Sequence, residues 1–176
     1  MGALVKSEQA VVVVTPTEQQ QYLTFMLGGE LFAIGILVIK EIIEFGQLTT
    51  VPMMPDFIRG VINLRGSVVP VVDLSARFGE GPTEITRRTC IVIIEVMSDG
   101  EQQDIGVIVD AVNEVLDITA DQIEPTPAFG AKIRTDFMLG MGKVNGKFVI
   151  ILNVNKVLSV NELALLGGAL VESDTA

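Results

Sequence analysis

A stretch of sequence that occurs twice predicts the fold. Its first copy reads Phe57-Ile-Arg-Gly-Val-Ile-Asn-Leu-Arg-Gly-Ser-Val-Val-Pro-Val-Val-Asp-Leu74, and a weaker second copy reads Phe137-Met-Leu-Gly-Met-Gly-Lys-Val-Asn-Gly-Lys-Phe-Val-Ile-Ile-Leu-Asn-Val154. In both copies, two β-favouring runs flank a two-residue turn, which is Arg65-Gly66 in the first and Asn145-Gly146 in the second. Such a pattern predicts a β-hairpin. The chain is therefore expected to contain a duplicated β unit.

The duplication extends upstream of this hairpin. Within the hairpin the copies are 80 positions apart, since 137 minus 57 is 80, so that Phe57, Gly60, Gly66 and Val69 recur as Phe137, Gly140, Gly146 and Val149. Further upstream the offset is 73, and Ile34, Ile36, Ile39, Glu41 and Ile42 align with Val107, Val109, Val112, Glu114 and Val115. The second copy must therefore have a longer connection, around residues 128–136. With further hairpins around Gly28-Gly29 and residues 98–101, each half reads as hairpin, short crossover, hairpin.

Short strands at regular turn spacing, without a long helical pattern, predict small closed barrels. We expect an all-β fold of two tandem, interlocked barrels from an internal duplication, the first copy at about 22–80 and the second at about 88–158. Residues 1–21 are predicted to be a flexible arm and 167–176 a tail. A capping box at Ser159-Val-Asn-Glu162 predicts a short C-terminal helix over 159–166. The crossovers at 36–44 and 109–117 have apolar residues three and four apart, which fits either a helical turn or an irregular strand.

Composition excludes several classes of enzyme. The chain has 176 residues, 49% of them hydrophobic and 19% charged, which is enough to bury a core. It contains no His, so imidazole acid–base chemistry, His metal sites and Ser-His or Cys-His nucleophile pairs are excluded. Cys90 is the single cysteine and lies in an apolar run, so we interpret it as a buried small hydrophobe. With neither a phosphate-binding loop nor acidic residues at metal-loop spacing, we expect no cofactor and no metal.

Charge points to a protein partner. The net charge of −10 disfavours binding to nucleic acid or to an anionic membrane surface. No apolar run approaches the roughly 18 residues of a membrane span, so direct membrane insertion is not expected. The sequence analysis therefore favours a cytoplasmic protein that binds other proteins.

The first copy carries a recognisable signature. The residues Gly60-Val-Ile-Asn-Leu-Arg-Gly66, followed by Pro70-Val-Val-Asp-Leu74, resemble the signature of the chemotaxis coupling proteins of the CheW-like domain family, and the likeness extends over about 22–166. The resemblance implies two SH3-like five-stranded barrels. It also implies a non-catalytic adaptor that joins the cytoplasmic tip of chemoreceptors (methyl-accepting chemotaxis proteins) to the regulatory domain of the histidine kinase CheA. Other CheW copies in rings would be further partners, and the protein would be recruited to membrane-associated receptor arrays.

The resemblance also implies a receptor-binding groove between the two barrels, and it marks no single kinase-binding residue. The implied groove residues are Ile39, Glu41, Gly60 and Arg65 from the first copy and Gly106, Val112 and Val115 from the second. Arg65, at the tip of a tight turn, can present its planar fork to a carboxylate, and Glu41 is the candidate intramolecular partner.

Simpler interpretations stand beside these. Arg65 could be an ordinary exposed turn residue, and Glu41 could belong to a solvated face. The aliphatic residues Ile39, Val112 and Val115 could simply be part of the hydrophobic core. Gly60 could serve a bulge or the close packing of another chain. For Asp73, near the end of its strand, we expect a structural hydrogen-bonding role.

Two alternative functions remain at the sequence level. One is a CheW-like paralogue that serves another chemosensory array, such as one that governs surface motility. The other is a small β protein whose groove between the lobes holds an apolar ligand. The sequence shows no convergent polar set beyond Glu41 and Arg65, which argues against a ligand site.

Overall fold

The computed structural model describes residues 19–98, 100–125 and 137–158. The long connection around 128–136, the predicted helix over 159–166 and the tail lie outside the described residues, as does the predicted arm up to residue 18. Residues 19–21, which were predicted to belong to the arm, are instead the start of the first strand, because they pair with residues 117–119.

The described residues form eleven strands, two short α-helices and two 3-10 turns. The strands are β1 (Gln19–Leu27), β2 (Glu30–Gly35), β3 (Ile39–Glu44), β4 (Ile58–Leu64), β5 (Ser67–Asp73), β6 (Cys90–Ser98), β7 (Glu101–Val109), β8 (Ala111–Thr119), β9 (Ile123–Glu124), β10 (Met138–Val144) and β11 (Lys147–Leu152). The helices are α1 (Leu74–Arg77) and α2 (Val154–Val157), and the 3-10 turns are Ile36–Val38 and Ala120–Gln122. Within the described ranges no helix is long and apolar enough to cross a membrane.

The strands form two sheets, and each sheet curves until the chain connects its two outer edges. One sheet has the order β8-β1-β2-β11-β10-β9 and the other has the order β3-β6-β7-β5-β4. In the first sheet, β9 follows β8 along the chain and pairs with β10 at the opposite edge. In the second, the segment after β3 reaches β4, where Thr49 and Val61 exchange backbone hydrogen bonds of 3.0 and 2.9 Å. The prediction of an all-β fold with two SH3-like barrels is confirmed, but one sheet has six strands and not the predicted five, because the two-residue strand β9 pairs with β10.

The sequence repeats do not coincide with the two barrels. The β1–β2 hairpin of the first repeat lies between β8 and β11 of the second repeat. In the same way, the β6–β7 hairpin of the second repeat lies between β3 and β5 of the first. The strands at which the repeats meet, β2 with β11 and β5 with β7, run parallel. Each barrel is therefore completed by a hairpin from the other repeat.

This exchange explains the continuous apolar run in β6. Val92, Ile94 and Val96 face the core between the two sheets, which we call the central core. Ile91 and Ile93, which alternate with them, belong to the separate core of the five-stranded barrel. Successive side chains of a strand point to opposite faces, so a strand buried on both faces needs apolar residues throughout.

Asp73 forms a network of hydrogen bonds at the end of the first repeat. This confirms the structural hydrogen-bonding role predicted for it. Its fully buried carboxylate accepts hydrogen bonds from the backbone amides of Ser75 and Ala76 at the start of α1. It also accepts from the amide and the hydroxyl of Thr83, at 2.8 and 2.7 Å, and from Nη1 of Arg59 at 2.6 Å. The carboxylate therefore caps α1 and holds the segment between the repeats against the barrel.

Candidate functional site

The first crossover is a bulged strand preceded by a 3-10 turn. In β3, Ile39 lies opposite Ile94 and Ile42 lies opposite Val92, so three steps along β3 correspond to two along β6. Directly opposed residues of an antiparallel pair share a face, and one extra residue in a strand is a β-bulge. Ile39 and Ile42 consequently point to the same side although they are three positions apart.

The second crossover repeats this geometry in β8. Val112 lies opposite Phe25 and Val115 lies opposite Leu23, with a shift of register between them. The two valines therefore share a face, as their counterparts in β3 do. We call Ile39 with Ile42, and Val112 with Val115, the two edge pairs, because β3 and β8 are outer strands in the order of their sheets.

Both edge pairs lie at the border of the central core. Ile39 and Val112 are half-buried and pack against it. Ile42 and Val115 are 42% and 43% exposed, a close match for equivalent positions of the two repeats. Each barrel therefore presents an apolar side chain to solvent next to one that is anchored in the core.

Cys90 connects the two outer strands. It lies opposite Glu44 at the end of β3 and packs against the central core. Burial raises the pKa of its thiol and the Glu44 carboxylate raises it further, while a hydrogen bond with the backbone of Val112 opposes both effects. The end of β3 and the start of β8 thus meet at this thiol, which is half-buried and not buried as predicted, because it lies at the border of the central core.

The predicted pair of Glu41 and Arg65 forms. Nη2 of Arg65 donates to Oε1 of Glu41 at 3.0 Å, and Nη1 donates to Oε2, so the contact is bidentate. The hydrogen bond from Arg65 lowers the pKa of Glu41, and nearby positive charge on Arg65 and Lys40 acts in the same direction. The arginine side chain is 73% exposed and the glutamate side chain 26%, so the Arg65 side chain is accessible to a partner.

The local backbone places Arg65 at this position. Arg65 has a φ of 53° and Gly66 a φ of 88°, and the Gly66 amide donates to Oδ1 of Asn63 at 3.0 Å. This tight turn projects Arg65 from the β4–β5 hairpin toward β3. Because β3 and β4 are the two outer strands of their sheet, the ion pair spans the seam at which the barrel closes.

The two glycines of the predicted groove lie inside the structure. Gly60 is buried at a bulge opposite β5 with a φ of 155°, and a Cβ there would lie 2.5 Å from the carbonyl oxygen of Thr49. Gly106 is buried in β7, where a Cβ would lie 2.8 Å from Cγ2 of Ile91. Neither glycine offers a contact surface, because each is needed for close packing within the barrel. The chain that packs against Gly60 is its own segment around Thr49.

Sequence reasoning did not assign three residues that shape this region. Ile42 could have been found from the 73-residue offset, since it is the counterpart of Val115. Lys40, the extra residue of the β3 bulge, forms an ion pair with Asp104 at 3.1 Å. Thr24 bonds to the β8 bulge, and its signal in the sequence was a hydroxyl between the apolar residues Leu23 and Phe25.

Three clefts lined by described residues include none of the predicted groove residues. A cleft of about 460 Å³ is bordered by the β1–β2 turn, α1 and the segment between the repeats, and it includes none of the predicted groove residues. A second, of about 40 Å³, lies beside Phe32 and Phe78 and has room for little more than water.

Comparison with known proteins gives a consistent result. Residues 21–162 match the model of the family described as CheW-like domain. A chemotaxis protein CheW of Klebsiella aerogenes is 36% identical over 150 residues, which cover 85% of this chain and 88% of the relative. A chemotaxis protein CheW of Bacillus subtilis is 34% identical over 140 residues, covering 79% and 86% of the two chains.

A solved structure shares the fold. The scaffolding protein TtCheW from Thermoanaerobacter tengcongensis superposes with a TM-score of 0.74 at 35% identity, covering 89% of this chain and 96% of that one. The resemblance identified from Gly60–Gly66 and Pro70–Leu74 is therefore confirmed over most of the chain.

Proposed function

Because the chain belongs to the CheW-like domain family, we propose that it is a non-catalytic adaptor that couples chemoreceptors to the histidine kinase CheA in a chemotaxis array. The observation that carries this proposal is the family match over residues 21–162. The geometry supports it, since the predicted site presents apolar anchors and one oriented cation. Such a surface is suited to protein recognition.

In this proposal the edge pairs and Arg65 form the receptor-binding surface. Ile42 and Val115 supply exposed apolar area beside Ile39 and Val112. The apolar stripe of a receptor helix is the partner that such a surface fits. The free N–H groups of Arg65 would meet a receptor carboxylate, with Glu41 holding the fork in orientation. Gly60 and Gly106 would support this surface from within the barrel.

The kinase contact belongs to a different surface. The family resemblance implies that the regulatory domain of CheA is itself similar to CheW and packs end to end with it, as further CheW copies in rings would. A protein with these partners would work in the cytoplasm, at receptor arrays. We assign no individual residue to the kinase contact.

The test is a binding titration of the full chain with a receptor cytoplasmic fragment and, separately, with the isolated kinase regulatory domain. We expect wild type to bind both, and Arg65→Glu to lose most of its receptor affinity while keeping its kinase affinity. Lys147→Glu is the matched control, because Lys147 is an exposed residue of the equivalent β10–β11 hairpin, and reversal of its charge should leave both affinities unchanged.

Two results would contradict the proposal at different levels. If wild type bound neither partner, the adaptor function would be wrong. If folded Arg65→Glu kept full receptor affinity, the adaptor could stand but the assignment of the receptor surface would be wrong.

A further inference from the structure

Thr24 carries a buried hydroxyl within the apolar second half of β1. It lies in β1 between Leu23 and Phe25, and none of its surface is exposed. A buried polar group is normally hydrogen-bonded, because leaving it without a partner costs its full desolvation energy. The hydrogen-bond partners of the Thr24 hydroxyl therefore indicate its structural role.

Both hydrogen bonds of this hydroxyl go to one residue of the β8 bulge. Oγ1 of Thr24 donates to the backbone carbonyl of Glu114 at 2.6 Å and accepts from the backbone amide of Glu114 at 3.1 Å. We call these two bonds the Thr24 clip. One hydroxyl thereby satisfies both backbone groups of a single residue, which uses its donor and one of its acceptor positions.

The clip lies where the strand ladder is interrupted. Pairing between β1 and β8 passes from Leu23 with Val115 to Phe25 with Val112, so the two residues Asn113 and Glu114 lie opposite the single residue Thr24. A bulge leaves such backbone groups without their ladder bonds. Here the side chain of Thr24 replaces the missing bonds and holds Glu114 in place.

We propose that Thr24 is a positioning residue of the receptor-binding surface, in that its clip maintains the bulge that sets Val112 and Val115 on one face. This inference rests on the proposed function, since the surface it positions is the proposed receptor site. Without the bulge, two residues three positions apart in a strand would point to opposite faces. Apolar contact with a partner helix then requires the clip, although Thr24 itself touches no partner.

The bulge in the other repeat is held differently. Its extra residue, Lys40, carries an ammonium that pairs with Asp104, and these side chains are 46% and 29% exposed. That contact is solvated and therefore weakened by salt. The Thr24 clip is neutral and buried, so the geometry of the Val112 and Val115 pair should not change with ionic strength.

The experiment compares Thr24→Val, which keeps the shape but removes the hydroxyl, with Thr24→Ser, which keeps the hydroxyl. For Thr24→Val we expect receptor-fragment binding about tenfold weaker, from the loss of the two clip hydrogen bonds. Binding of the kinase regulatory domain should stay within about twofold of wild type, as should both affinities of Thr24→Ser. Thr83→Val is the matched control, because it removes another buried hydroxyl, bonded to Asp73, away from the edge pairs.

Hydrogen exchange provides a second readout, which compares the Glu114 amide in wild type and in Thr24→Val. In wild type the Glu114 amide should be protected, and in Thr24→Val it should exchange faster while amides in β6 and β7 keep their protection. An unprotected Glu114 amide in wild type would overturn the proposal.

Three outcomes of the binding experiment would also overturn the positioning role. Unchanged receptor affinity in Thr24→Val would overturn the positioning role. An equal loss of affinity for both partners would reduce Thr24 to a general structural residue. Failure of wild type to bind the receptor fragment would instead reject the proposed function, and with it the positioning role.

Discussion

Removal of the Asp73 carboxylate should destabilise the protein more than removal of its repeat counterpart. In Asp73→Ala, four N–H or O–H donors from α1 and Thr83 lose their acceptor, and Arg59 loses its ion-pair partner. The carboxylate is fully buried, while the Arg59 side chain is 27% exposed. Breaking a buried, hydrogen-bonded ion pair costs about 3–5 kcal/mol, and water access to Arg59 favours the lower part of that range.

The second repeat supplies the control. Asn153 occupies the position of Asp73 at the start of α2, but its side chain makes no capping hydrogen bond. We therefore expect Asn153→Ala to lower the free energy of unfolding by less than about 1 kcal/mol. Asp73→Asn, which retains one acceptor oxygen, should fall between wild type and Asp73→Ala.

The assay is urea unfolding at neutral pH, followed by far-UV circular dichroism, with free energies extrapolated to water. The expected order of stability is wild type, then Asp73→Asn, then Asp73→Ala. The reasoning would be refuted if Asp73→Ala stayed within about 1 kcal/mol of wild type, or if Asn153→Ala cost as much as Asp73→Ala.

Two further predictions concern the seam of the five-stranded barrel. Gly60→Ala should destabilise the protein by at least about 2 kcal/mol in the same assay, because it combines a positive φ with a Cβ 2.5 Å from a backbone oxygen. The control Gly35→Ala, at a position with open space, should be nearly neutral. Equal losses of stability in the two variants would contradict the role of Gly60 in close packing at the seam. The folded-state pKa of Glu41 is lowered below its ordinary value of 4.5, so the stability it adds should be fully present above pH 4.5 and decline as the pH falls through the folded-state value. The difference in unfolding free energy between wild type and Glu41→Gln should therefore shrink in acid, and a difference that grew in acid would reverse the sign of this argument.

Local chemistry made the hairpins and the ion pair predictable. Turn residues such as Asn145-Gly146 specify a hairpin within a few positions, and the 80-residue offset related the two copies. Arg65 was identified from the family resemblance carried by Gly60–Gly66, and its counterpart in the second copy, Asn145, closes the same turn without a guanidinium. Such signals depend on neighbouring residues and can therefore be read from one sequence.

The exchange of hairpins was not predictable in the same way. A duplicated sequence has the same local pattern whether the β1–β2 hairpin pairs within its own repeat or with the other one. The bulges were ambiguous for a related reason, since apolar residues three apart, such as Ile39 and Ile42, are also typical of a helix. Only the register of β3 against β6 distinguishes the two.

The exchange bears directly on the proposed adaptor role. The outer strand β3 pairs with β6, and the outer strand β8 pairs with β1, so each edge pair is held by a strand from the opposite repeat. Leu23, Phe25, Val92 and Ile94, which lie opposite the edge-pair residues, all belong to the central core. A change in the spacing of the edge pairs would therefore have to deform a close-packed core, which resists small displacements. In the proposed adaptor, a shift of a receptor helix bound at the edge pairs should therefore reach the other surfaces by displacement of this packed core.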